Sequence, residues 1–134
     1  VDFSTFFALD ASNLALIAKA LGNTTAFSTW SNLSSKMSSE IHNLLWDDKN
    51  KMYMDRHAGA GDNEMKFSIV KSVASFLPLL LDDFPAKERM AMILGNLESR
   101  TLFNAAVAVP SVSLDTISFS TGMLVFIYLS YWNS

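Results

Sequence analysis

The chain carries thirteen acidic residues, and two adjacent pairs of them, Asp47-Asp48 and Asp82-Asp83, are the first places to look for chemistry. Two carboxyl groups divide the work of acid and base when their positions in space hold one protonated and the other ionised. Neighbours in sequence do not meet that condition by themselves. Asp47-Asp48 precedes Lys49-Asn50 between apolar residues, the composition of a polar turn. Asp82-Asp83 precedes Phe84-Pro85, where acids suit the start of a helix. Both pairs therefore read as turn and cap residues.

The other polar groupings are weaker. His57 stands among Asp55, Asp62 and Glu64, but in a stretch that contains Gly59 and Gly61, and His42 is far away in sequence. Metal sites need ligands at close spacing on ordered elements, so no metal is expected. Gly59-Ala60-Gly61 lacks the third glycine and the following lysine of a phosphate loop. No serine lies in a Gly-x-Ser-x-Gly elbow, which leaves acyl transfer without a nucleophile motif. Trp30, Trp46, Tyr53 and Trp132 have rings able to stack on a ligand. At helical spacing such rings serve packing, which is the reading for Trp30, while Trp46 and Tyr53 are placed to pack across a hairpin.

Composition excludes several classes. Apolar residues make up 50% of the 134 and charged residues 17%, too apolar for a disordered chain. A net charge of −3 with scattered Lys and Arg offers no footprint for nucleic acid. The absence of cysteine removes disulfides and thiolate metal sites but assigns no compartment. Asn23-Thr24-Thr25 and Asn32-Leu33-Ser34 are glycosylation sequons, the first in an expected turn. The longest strongly apolar run, Met123 to Trp132, is about half the roughly 20 residues a membrane span needs. The first residue, Val1, is not an initiator methionine, as expected of a processed or excised polypeptide.

The elements that must position these residues are mainly helical. Phe3, Phe6, Phe7, Leu14, Ile17 and Leu21 follow a three-four spacing over residues 3–21, and Leu9 and Leu16 add a second apolar face. A helix apolar on two faces is expected to be covered on both. Gly22 and Asn23 supply its stop. Residues 25–45 form a second helix with Phe27, Trp30, Leu33, Met37, Ile41 and Leu44 on one stripe and a serine-rich back. The pair reads as an inner helix followed by an outer one. Residues 45–55 change period and predict a short hairpin, and 56–64 read as a loop. A third helix over 70–81 contains Pro78, which should kink or shorten it. Pro85 fits the first turn of a fourth, with Met90, Ile93, Leu94 and Leu97 as its buried stripe. Residues 101–122 read as extended and loop-like; the pattern over 123–132 does not separate helix from strand. No linker divides the chain, so residues 1–134 are expected to form one segment of one domain.

The order of four segments resembles the α/α-barrel glycoside hydrolases that include the processing α-glucosidases of N-glycans and the mannosylglycerate hydrolases, with trehalases more distant. Val1-Asp2-Phe3 opening one helix and Leu44-Leu45-Trp46-Asp47 closing the next are similar to that family's "VDL…LLWD" unit. Met52-Tyr53-Met54-Asp55-Arg56 resembles its "FYYDRD" strand. Lys71-Ser72-Val73 with Phe76-Leu77-Pro78-Leu79 resembles its "VKS…FLPL" helix. Val109-Pro110-Ser111-Val112, then Asp115 and Phe119-Ser120-Thr121, resembles its "PSV…D…FS" loop. After this loop the family continues through an Arg-Gly-Pro segment that lines the sugar site; here Gly122-Met123 runs directly into Leu124-Val125-Phe126.

The resemblance implies an all-α fold, a partial α/α toroid of inner and outer helix pairs with a short β-hairpin insertion. It implies inverting hydrolysis of α-glycosidic bonds by two carboxyl groups. In the family the acid lies upstream of the matched region and the base downstream, so no residue of this chain is expected to be catalytic and the isolated chain is expected to be inactive. Pro110, Ser111 and Asp115 are the candidate substrate-binding residues, with Asn23 and Asn32 as candidate glycan acceptors. The expected partners are carbohydrate, once the barrel is complete, and the remainder of the barrel or another protein chain; no cofactor and no nucleic acid are expected. The alternative is a non-catalytic helical interaction or structural module within a larger assembly.

Overall fold

A computed structural model describes residues 1–58, 64–82, 85–105 and 110–116. The first two elements are long helices, α1 (Asp2–Ala20) and α2 (Thr24–Leu45). Asp2 in the first turn and Lys19 in the last of α1 complement the helix dipole. Gly22, at φ 69°, ends the helix: its N–H donates to Lys19 O (3.1 Å), and the Asn23 N–H reaches back to Ala18 O (2.9 Å). This pair of bonds satisfies the last carbonyls of α1 and needs the left-handed backbone that glycine adopts at least cost. Asn23 then caps α2 by accepting the Ala26 N–H on its side-chain oxygen at 3.0 Å. The stop expected at Gly22-Asn23 is therefore present, and the same two residues start the next helix.

The two helices pack through the small side of α1. Thr5, Ala8, Ala11, Ala15 and Ala18 are its buried residues. Side chains this small let the backbones approach, and Ser34 of α2 donates its hydroxyl to Ala8 O at 2.9 Å. The three-four series expected to be buried turns the other way. Phe3 is 85% exposed and Leu21 79%, with Phe6, Phe7, Leu14 and Ile17 also exposed. The reason is geometric: one helical face is occupied by α2, which the alanines fit, and no described element reaches the opposite face. On α2 the expected stripe is closer to the outcome. Ile41 is buried, Phe27, Trp30, Leu33 and Met37 are half-buried, and Leu44 is exposed.

Beyond α2 the chain forms two antiparallel hairpins. In the first, β1 (Trp46–Asp47) pairs with β2 (Met52–Tyr53) in the register Trp46 opposite Tyr53 and Asp47 opposite Met52. In the second, β3 (Arg56–Ala58) pairs with β4 (Met65–Phe67), Arg56 opposite Phe67. The second corrects two expectations, that of a plain loop over 56–64 and that of one hairpin in an otherwise all-α chain. The strands are only three residues long, too short for alternation to show in the sequence.

The segment expected to be a kinked α-helix is a 3-10 helix, Val73–Leu80, with Pro78 buried inside it. Proline has no N–H to donate and its ring crowds the carbonyl four residues earlier, so the tighter i to i+3 winding replaces the α-helix. α3 (Ala86–Met92) follows Pro85 and continues as a π-helical turn, Ile93–Leu97. The π-turn inserts an extra residue and rotates the face that follows. Within the π-turn Asn96 is buried and Leu94 is more than half exposed; in α3 before it Met92 is buried and Met90, like Leu94 expected in the buried stripe, is more than half exposed.

The core lies where these short elements converge on the end of α2. Val1, Ala8, Ile41, Met52, Tyr53, Met54, Phe76, Leu81, Met92 and Phe103 form one buried cluster. Phe76 meets Phe103 edge to face with ring centroids 4.9 Å apart, a favoured aromatic arrangement. The chain is thus mostly helical with two small antiparallel sheets. Among the described residues no helix is long and apolar enough to cross a membrane. The apolar run at 123–132 lies outside the described residues.

Candidate functional site

Residues 110–116 hold all three candidate ligand residues, and their position is set by the stretch just before the 3-10 helix. Ser72 and Val112 form an isolated antiparallel bridge. Val73 N–H donates to Ser111 O at 2.9 Å, and Ser113 N–H donates to Lys71 O at 2.8 Å. The other side of the loop is tied by Leu114 N–H to Leu102 O at 2.9 Å. Two segments some forty residues apart in sequence thereby become adjacent strands of one short ribbon.

Side chains complete the junction. Lys71 Nζ lies 2.6 Å from Asp115 Oδ2, and Ser113 donates its hydroxyl to Asp115 Oδ1 at 2.5 Å. Ser113 is fully buried. Burial pushes the Asp115 carboxyl up, but the hydrogen bonds from Lys71 and Ser113 outweigh it and hold the group below the ordinary carboxylate range. Both oxygens of Asp115 therefore serve the loop. Pro110 is half-buried, and Ser111 is exposed with its carbonyl already engaged by Val73. The three residues named from sequence lie on this one segment, Asp115 bound to Ser113 and Lys71 and Ser111 bound through its carbonyl to Val73. Lys71 and Ser113, which hold them, were not among the candidates; their signal in the sequence is the apposition of two segments, which only the fold makes visible. Beside Leu114 opens a cleft of about 610 Å³ that is also lined by Arg100, Asn104 and Ala105. Arg100 and Asn104 are exposed hydrogen-bond donors that no spacing in the sequence singled out.

The remaining candidates are structural. Asp47 is buried, not solvated: it accepts the Lys49 N–H at 2.9 Å and the Asn50 side-chain amide at 2.5 Å. Those bonds shape the turn of the first hairpin, as side-chain oxygens of Asp commonly do. Asp48 pairs with Lys51 at 2.6 Å on the surface, and the lysine lowers its carboxyl from the ordinary value. Asn96 fastens the same turn from outside, donating to Asn50 O at 3.0 Å and Lys51 O at 3.1 Å. Asp55 pairs with the Val1 amino group. Asp82 is exposed, and Asp83 lies outside the described residues.

His42, Trp46 and Tyr53 form a cluster at the junction of α2 and the hairpin. The Trp46 and Tyr53 rings meet edge to face at 5.2 Å, as their opposed register expects. His42 Nδ1 is 2.9 Å from the Tyr53 hydroxyl, and its ring stacks on Trp46 at 6.1 Å. Burial, with Glu88 nearby, raises the Tyr53 phenol far above its usual value. Tyr53 is 1% exposed, so this cluster is a packed joint and not an open sugar platform. His57 sits exposed on β3, and Asp62 lies outside the described residues. Among the described residues no three His, Asp or Glu side chains converge as a metal site would need.

Asn23 and Asn32 are both exposed on α2, Asn23 at its cap and Asn32 on its polar back. The groove between α1 and α2, about 230 Å³ and lined by residues such as Ala8, Ser12, Ser31 and Ser34, shares no residue with the loop at 110–116.

No curated protein matches the chain. A protein-family comparison matches residues 1–133 to the mannosylglycerate hydrolase MGH1-like glycoside hydrolase domain. With a match over nearly every residue of a mostly helical chain, this protein belongs to the mannosylglycerate hydrolase MGH1-like glycoside hydrolase domain family.

Proposed function

We propose that this chain is one sector of an α/α toroid that hydrolyses α-glycosidic bonds by inversion, with the proton-donating acid and the water-activating base contributed by polypeptide outside these 134 residues. The observation that carries the toroidal reading is the two-sided character of α1. Its alanine face fits α2, and its opposite face presents Phe3, Phe6, Phe7, Leu14, Ile17 and Leu21 to open space. An inner helix of a two-layered ring needs both faces: one for its outer partner, one for the neighbouring inner helices. The polar back of α2 suits the outer layer.

In this reading the loop around Pro110, Ser111 and Asp115 borders the sugar. Ser111 is the exposed hydroxyl, Pro110 fixes the backbone that presents it, and Asp115 holds the loop in place through Lys71 and Ser113. Arg100, in the adjoining cleft, adds donors suited to sugar hydroxyls, while the Asn104 amide beside it donates to Glu98 O at 3.2 Å. A structural role for two of the acids supports this reading: Asp47 accepts hydrogen bonds within its own turn and Asp115 from Ser113 and the distant Lys71, whereas inverting carboxyl groups stand about 6.5–9.5 Å apart with room for water between them. The two exposed sequons, at Asn23 and Asn32, are proposed as glycan positions on the solvent side of α2.

The test is an assay on α-glucosides and on mannosylglycerate. The isolated chain is expected to show no turnover, and the chain extended by its flanking coding sequence is expected to show it. Enzymatic hydrolysis by the isolated chain would overturn the placement of the catalytic groups. A second reading, a non-catalytic helical module in a larger assembly, draws on the same open face of α1. It predicts stable binding of a partner chain with no glycoside turnover in the extended protein.

A further inference from the structure

The open face of α1 is not uniformly apolar. At 3.6 residues per turn, Asp10 projects within about 20° of Phe3 and Leu21, in the middle of the stripe. Asp10 is exposed, and among the described residues it forms no ion pair. The stripe around it is large. Phe3, Phe6 and Phe7 are 85%, 49% and 48% exposed, which at about 200 Å² for each ring leaves on the order of 350 Å² open on these three residues alone. That already falls in the range of the largest apolar patch on an ordinary monomer, before Leu14, Ile17 and Leu21 are added.

Three occupants suit an apolar helical stripe in general: a second copy of α1, an entirely apolar helix, or a helix bearing a charge. Asp10 decides among them. In a parallel pairing of two copies the carboxylates face each other directly. In an antiparallel pairing centred on residue 12 they lie about 6 Å apart along the axis, with helix axes about 8–10 Å apart. Both arrangements bring like charges together as their water is removed, which costs several-fold more than the same repulsion at the surface. An entirely apolar helix would bury Asp10 without a partner, at similar cost.

We propose that the stripe seats a helix presenting an apolar face with one Lys or Arg opposite Asp10, and that Asp10 prevents two copies of this chain from pairing through α1. The source of that helix, resting on the toroidal reading above, is the remainder of the same glycoside hydrolase domain. The carboxylate thus sets both the identity and the register of the neighbouring helix: it rejects the stripe's own copy and accepts only the partner that brings a cation to mid-length. Charge of this kind discriminates between partners more than it adds affinity.

Two measurements test it. In sedimentation, wild-type chain is expected to remain monomeric at concentrations where Asp10→Leu and Asp10→Asn self-associate, with at least a tenfold shift in the midpoint. Adding Ile17→Ser to Asp10→Leu should restore the monomer, and circular dichroism of each variant reports whether α1 remains folded. In titration, a 19-residue amphipathic helical peptide with a single Lys in its apolar face should bind wild type at least tenfold tighter than the same peptide with Glu. Asp10→Lys should reverse that preference. Wild-type dimers that form through α1, or a peptide preference unchanged in Asp10→Lys, would overturn the proposal. Neither measurement involves glycoside turnover, so an extended domain without activity would remove the glycosidase reading and leave the role of Asp10 standing.

Discussion

Lys71 and Asp115, forty-four positions apart in sequence, meet through an Nζ to Oδ2 distance of 2.6 Å and join the loop at 110–116 to the stretch that leads into the 3-10 helix. The pair is partly exposed, so its Coulomb attraction is screened, and its worth lies near that of a surface ion pair, about 0.5–1 kcal/mol. Its larger effect is positional, because Ser113 and the Ser72–Val112 bridge depend on the same alignment.

Lys71→Met should therefore lower stability by about 1 kcal/mol and speed amide exchange at Val73 and Ser113, whose N–H groups form the ribbon. The pH dependence has a definite sign. The Asp115 carboxyl is held below its ordinary value of 3.8, so its contribution is complete above that value and is lost as pH falls through the folded-state value. The stability gap between wild type and Lys71→Met should be constant from about pH 7 to 5 and close as the solution is acidified below about pH 4. Urea midpoints across that range measure it; a gap that widens in acid would contradict the assignment.

Asn96 should matter more than its place in a short π-turn suggests. Its side-chain amide supplies donors to two carbonyls of the first hairpin turn, where Lys51 holds a positive φ of 52°. Asn96→Ala removes both bonds and is expected to cost about 1–2 kcal/mol. Hydrogen exchange should show the loss concentrated around residues 47–53, with α1 unaffected.

α1 should respond in opposite ways on its two faces. Ala11→Leu forces extra volume against α2 and should cost about 1–3 kcal/mol. Phe3→Ser, at an exposed position of the isolated chain, should lie within about 0.5 kcal/mol of wild type. Thermal denaturation of both variants checks the assignment of faces: a large loss from Phe3→Ser would mean that the aromatic face is covered.

Tyr53→Phe leaves the ring packing but removes the hydroxyl from His42 Nδ1, and should cost about 1 kcal/mol. In wild type, burial with Glu88 nearby raises the phenol, so it remains protonated in the folded chain at a pH where an unfolded tyrosine has ionised. Stability associated with Tyr53 is thus intact below about pH 10 and declines above it, as ionisation favours the unfolded chain. Phenolate absorbance followed alongside circular dichroism should show this group ionising only as the helices melt, a step missing from Tyr53→Phe.

Local chemistry settled much of the architecture in advance. The Gly22-Asn23 stop, the hairpin between Trp46 and Tyr53 and the disruption at Pro78 each depend on residues close together in the chain, so their types and spacing were enough. The resemblance carried by Leu44–Asp47, Lys71–Val73 and Pro110–Val112 likewise survives as a family match over residues 1–133. Tertiary structure decided which face of α1 is covered: the sequence marked the Phe3–Leu21 stripe and a second face with Leu9 and Leu16, but it is the side of Thr5 and the alanines that is buried, and Leu16 is 60% exposed. It decided that Asp47 is buried, that the π-turn swings Asn96 inward, and that Lys71 reaches Asp115. Those outcomes depend on contacts between segments distant in sequence. No local pattern encodes them, because each residue's partner is chosen by the packing of elements whose own side chains lie elsewhere.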